Sequence, residues 1–247
     1  MMKGFSSYIY YSHNNPCGRE NIEWSNFWYS NANKEIGRRI LLVGDSTARM
    51  VRSTLEELSG IPIDMLGTSC GLHDIMFVKQ VDAFFYSNEL RYDTVFIQLG
   101  QHSNYNEYGE LYKERDYLQY KNDLSFLVDY LREYTDNIIL LSIFYAVVPL
   151  PKLFKLKPLF YIRHLWKEQF DWNIDVITKE KNHIIQEVAK EKGLKYLDIN
   201  DHIIKLCQRF SSRLLHIDHI HFEEKAKIII VREYMKLFKE NSNESII

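Results

Sequence analysis

Ser46 closes an apolar run in "ILLVGDSTARM" (Ile40 to Met50), where strand-like sequence gives way to helix-like sequence. A serine hydroxyl is a weak nucleophile until a base takes its proton, so Ser46 alone carries little. Near the other end, "LLHIDHIHF" holds Asp218 and, after two intervening residues, His221. That spacing lets a carboxylate and an imidazole sit on adjacent turns of one loop, Asp218 holding the ring so that its other nitrogen faces the serine. His221 would then be the general base, and afterwards the acid that protonates the leaving oxygen. Asp45 reads as a structural residue that caps the next helix or holds the turn.

Elements that could position these residues follow from the periodicity. "RILLV", "IPIDML", "DTVFIQL", "NIILLSIF" and "LKYLDI" are strand candidates, continuous rather than alternating, as in a sheet covered on both faces. Between them, "TARMVRSTLEEL", "HDIMFVKQVDAFF", "RDYLQYKNDLSFLVDYLREY" and "DVITKEKNHIIQEVAKEKG" repeat apolar residues at three and four, and "EEKAKIIIVREYMKLFKE" reads as a final helix. The alternation implies right-handed crossovers and a three-layer α/β/α sandwich around a mostly parallel five-stranded sheet. Ligands gather at the carboxyl ends of such strands, where Ser46 stands.

At 247 residues the chain fits one domain, 1–247. Residues 1–37, aromatic and rich in Asn and Ser without a period, read as an irregular arm packed on it. Residues 149–172 form a basic, aromatic insertion that would overhang the same sheet edge. It reads as a lid, as a peripheral membrane contact, or as a plain helical insertion with a solvated basic face. A formal net charge of −2 gives no general pull toward nucleic acid. The longest apolar run is shorter than a membrane span, and the first residues show no secretory signal. Cys17, Cys70 and Cys207 are widely spaced, without a CxxC pair, which fits reduced thiols and a cytoplasmic location.

"VGDST" after the first strand and "DHIHF" before the last helix resemble the first and last blocks of the SGNH (GDSL) hydrolase superfamily. The resemblance implies a flavodoxin-like fold, a Ser46–His221–Asp218 triad and an oxyanion hole. Its second block supplies a glycine amide: here "LGTSCGLHD" offers Gly71, with Gly67 as the alternative. Its third block usually supplies an Asn side chain, whereas "LGQHSN" has His102 at that place. A neutral imidazole donates one hydrogen bond in the right tautomer, so His102 could replace the Asn. "GDSxxR" (Gly44 to Arg49), with a glycine followed two residues on by His, resembles the PC-esterase branch, which acts on O-acetyl groups of glycans.

Competing readings attach to the same stretches. "GTSCG" (Gly67 to Gly71) matches the GxSxG nucleophile elbow and makes Ser69 a rival nucleophile, although that fold places several strands before the elbow. "HIDHIH" (His216 to His221) could suggest a metal, yet alternating side chains on an extended loop do not converge, and we expect none. Arg49 could bind a polar substrate or pair with a carboxylate beneath the site. The resemblance therefore implies a cofactor-free serine esterase that removes an acyl group, O-acetyl first, from a carbohydrate or similar small-molecule ester. The alternatives are an O-acyltransferase on a glycan with the same triad, and a non-catalytic domain that binds a glycan or a partner.

Overall fold

A computed structural model describes residues 4–5, 23–34, 37–86, 90–102, 113–147, 172–173, 176–200, 203–205, 217 and 220–242. The strands are β1 (Ser25–Trp28), β2 (Ile40–Gly44), β3 (Ile63–Thr68), β4 (Thr94–Gln98), β5 (Ile138–Leu141), β6 (Ala146–Val147), β7 (Trp172–Asn173) and β8 (Lys195–Leu197). The helices are α1 (Ser46–Ser59), α2 (Ile75–Phe85), α3 (Glu114–Leu131), α4 (Val176–Lys192) and α5 (Glu224–Ser242).

The main sheet has the order β1-β3-β2-β4-β5-β8. From β3 to β8 every neighbouring pair is parallel, as the continuous apolar runs require: β2 and β4 are buried at every residue. Two apolar layers cover the faces. Leu41, Val43 and Ile97 pack with Phe77, Leu127 and Val188 of α2, α3 and α4, whereas Leu42 and Phe96 pack with Val51, Leu55 and Tyr234 of α1 and α5. The parallel strands run doubly wound from β2, whose two neighbours belong to opposite windings. The crevice between the carboxyl ends of β2 and β4 is thus the place where such a sheet opens for a ligand.

Two expectations need correction. The sheet has six strands, not five, and the arm at 1–37 is not irregular throughout, because Ser25–Trp28 adds an antiparallel edge strand to β3. This short strand has no strong alternation; what secures it is pairing, together with Tyr29 stacked on Phe84 at 4.8 Å and Ser30 N donating to Asp64 Oδ1 at 2.8 Å. Asp64 is fully buried and also receives Arg39 Nε at 2.9 Å and Tyr92 OH at 3.1 Å, so its charge is paired and hydrogen-bonded. Of the insertion at 149–172, residues 149–171 lie outside the described residues, and Trp172 begins β7, which pairs antiparallel with β6. No helix among the described residues is long and apolar enough to cross a membrane.

Candidate active site

Gly44 ends β2 where the chain must turn sharply into α1. A Cβ there would run into Ala48 Cβ and lie 2.8 Å from Gln98 O, so only glycine lets the turn press against β4. Asp45 is the N-cap of α1: Oδ1 accepts from Thr47 N at 2.9 Å and from Thr47 Oγ1 at 2.6 Å. This structural role is the one its sequence position suggests. Ser46 follows at the first helical position, where a backbone N–H has no partner inside the helix. Among the described residues no acceptor meets the Ser46 amide.

His221 arrives from the far end of the chain. Its neighbours Ile220 and Phe222 are buried, Phe222 packing edge-on against Phe144 at 4.9 Å with its amide 3.3 Å from Met50 Sδ. Anchoring both flanks turns the His221 side chain the other way, and its Nε2 lies 3.0 Å from Ser46 Oγ. Residue 217 donates from its amide to His221 O at 2.7 Å. Asp218, the expected orienting carboxylate, lies outside the described residues, as do His216 and His219.

Of the two candidate glycines, Gly67 lies inside β3 between Asn26 of β1 and Gly44 of β2, so its backbone belongs to the sheet. Gly71 lies in the loop from β3 to α2 and is buried. The amides before it are engaged, Ser69 N with Trp24 O at 3.1 Å and Cys70 N with Thr68 Oγ1 at 2.9 Å. The Gly71 amide meets no acceptor among the described residues. Ser69 is 1% exposed, donates to Glu23 Oε2 at 2.6 Å and accepts from Trp24 N at 2.8 Å. It braces the arm against this loop, and no histidine among the described residues is its hydrogen-bond partner. Among the described residues the elbow reading of "GTSCG" thus has no histidine to activate its serine.

The third wall is the turn after β4, which carries His102 with its Nε2 buried. Gly100 has φ +132°, and a Cβ on it would lie 2.8 Å from Tyr120 OH. Side chains hold the turn residue by residue. Tyr120 OH donates to Leu99 O at 2.6 Å, Lys181 Nζ to Gly100 O at 2.9 Å and His102 O at 3.4 Å, and Gln101 N to Asp45 Oδ2 at 3.3 Å. Lys181, 1% exposed on α4, was missed at the level of sequence. Its signal is a lysine on the buried stripe Thr178, Lys181, Ile185 and Val188.

Arg49, one helical turn after Ser46, is exposed and lies over the Trp24 ring at 4.5 Å, with no carboxylate beneath it among the described residues. Among the described residues no group of three or more His, Cys, Asp or Glu side chains could hold a metal ion.

No protein-family model matches the chain, and no curated protein matches it in sequence. Solved structures do match. Axe2, an acetylxylan esterase from Geobacillus stearothermophilus, superposes with a TM-score of 0.54 at 14% identity, over 82% of this chain and 94% of that one. A member of the lipolytic protein G-D-S-L family from Veillonella parvula matches with a TM-score of 0.53 at 11% identity, over 82% of this chain and 99% of the other. Sheet order, helix layers and these neighbours agree: the chain has the fold of the SGNH/GDSL hydrolases.

Proposed function

We propose that the protein is a serine esterase that removes an acyl group, O-acetyl first, from a carbohydrate hydroxyl. The observation that carries this reading is the 3.0 Å contact between His221 Nε2 and Ser46 Oγ at the carboxyl end of β2. At that distance the imidazole takes the hydroxyl proton as the oxygen attacks the ester carbonyl. The developing oxyanion is held by the amides of Ser46 and Gly71, both without acceptors among the described residues, and by the His102 side chain. His221 then protonates the departing alcohol, and water, deprotonated by the same ring, releases the acid. Asp218 fixes the ring in the tautomer that this requires. The acetyl and carbohydrate parts draw support from the neighbour named an acetylxylan esterase.

The test is hydrolysis of p-nitrophenyl acetate and release of acetate from acetylated oligosaccharides by the wild type, Ser46→Ala and Ser69→Ala. Ser46→Ala should lower kcat by about 10⁴-fold or more, and Ser69→Ala should retain turnover. Turnover that survives Ser46→Ala would end the reading.

A further inference from the structure

Two arginines on α1, three residues apart, meet the tryptophans of the N-terminal segment in the same way but use their donors differently. Arg52 Cζ lies 4.4 Å from the Trp28 ring centroid, and its Nη1 donates to Glu56 Oε2 at 2.8 Å and Ile63 O at 3.0 Å. It staples helix, edge strand and β3 together. Arg49 Cζ lies 4.5 Å from the Trp24 centroid, yet its guanidinium makes no hydrogen bond or ion pair among the described residues. The residue is exposed, so the five N–H donors of that planar fork are open to a ligand, while the indole beneath holds the guanidinium in place.

Trp24 does not drift. Its amide and carbonyl are both bonded to Ser69, at 2.8 and 3.1 Å, and its ring edge covers Gly67, where a Cβ would come within 3.3 Å of it. Arg49 is therefore held over the carboxyl end of β3, from which the Gly71 loop departs. Residues three apart share one helix face, so this fork also stands beside Ser46.

We infer that Arg49, braced by Trp24, is a subsite for a carboxylate that the substrate carries near its ester. The preferred substrate is then an acyl ester of an acidic carbohydrate, one built of uronic acid units. The inference rests on the esterase reading of the same site. A carboxylate matches one edge of a guanidinium with two parallel hydrogen bonds, and a rigid fork loses little freedom in making them. A phosphate dianion would call for a second cation, and Arg52, the next along the helix face, is already committed to Glu56. The overall charge of −2 does not draw acidic polymers, so the attraction is local to this fork.

Binding is measured first, in the Ser46→Ala background, by calorimetric titration with trigalacturonic acid and with xylotriose. The acidic sugar should bind about tenfold tighter or better. Arg49→Met should erase that difference, and Arg49→Lys, which keeps the charge without the fork, should restore only part of it. The wild type is then compared on acetylated oligogalacturonate and acetylated xylo-oligosaccharide, with p-nitrophenyl acetate as the reference. A kcat/KM ratio favouring the acidic substrate, lost in Arg49→Met, upholds the inference. Equal binding of the two sugars, or a preference that survives Arg49→Met, overturns it while turnover of p-nitrophenyl acetate leaves the esterase standing. An Arg49-dependent preference in binding without turnover of any ester upholds the carboxylate subsite and removes the esterase.

Discussion

The Asp45 carboxylate joins the two strand exits that frame the candidate site: while Oδ1 caps α1 at Thr47, Oδ2 accepts from Gln101 N at 3.3 Å. One side chain thus sets both the position of Ser46 and that of the turn carrying His102. Asp45→Asn keeps an oxygen for the cap but offers Gln101 N an amide group instead of an acceptor. We expect kcat to fall about 10- to 100-fold with KM little changed. Kinetics of that variant identical to wild type would show that the link has no effect on the site.

Lys181 holds the same turn from the other side. Lys181→Met fills a similar volume without a charge to desolvate, so the variant should fold, but Gly100 O and His102 O lose their donor. The expected result is a fall in kcat of about 10-fold or more at constant KM. A change in KM alone would assign Lys181 to binding instead.

His102 occupies the place at which an Asn is usual in the resembling families, and both side chains donate a hydrogen bond. His102→Ala should lower kcat about 100- to 1000-fold, the loss typical of one oxyanion donor, whereas His102→Asn should stay within about tenfold of wild type. Steady-state kinetics on p-nitrophenyl acetate decide it, and an active His102→Ala enzyme would remove this residue from the oxyanion hole.

Asp123 predicts a pH dependence of stability. It is 1% exposed on α3, its Oδ1 takes Gln119 Nε2 at 2.7 Å and its Oδ2 has no partner among the described residues. Burial pushes its carboxyl up to about 7, against about 3.9 in an unfolded chain. Between those values the folded protein keeps a proton that the unfolded chain has lost, so this group's contribution to stability declines as pH rises through that window. Asp123→Asn should therefore gain on wild type by a few kcal/mol, on the order set by such a shift, at pH 8 relative to pH 4. Urea unfolding at the two pH values measures it, and parallel pH profiles for the two proteins would contradict it.

Much of this arrangement was legible in the sequence because it rests on strong local patterns. Runs such as "RILLV" and "DTVFIQL" are mostly continuous in their apolar residues rather than alternating, which suits strands buried on both faces and a parallel sheet. A small polar triplet after the first of them, and an aspartate and a histidine separated by two residues near the far end, led to Ser46 and His221, which meet across that sheet edge. What escaped lacks such a pattern. β1 is a short edge strand whose register is fixed by β3 rather than by its own alternation. Its consequence, Trp24 under Arg49, joins segments far apart in the chain and leaves no local trace. Lys181 was hidden because a buried lysine looks like a break in an amphipathic stripe until the carbonyls it serves are known.

The central claim is that Ser46 is a nucleophile activated by His221. Incubation with a fluorophosphonate, followed by peptide mass mapping, reads it directly: the activated oxygen displaces fluoride and keeps the phosphonyl group. The account predicts an adduct on Ser46, absent in Ser46→Ala and strongly slowed in His221→Ala. An adduct on Ser69, or a Ser46 adduct formed as fast without His221, would contradict it.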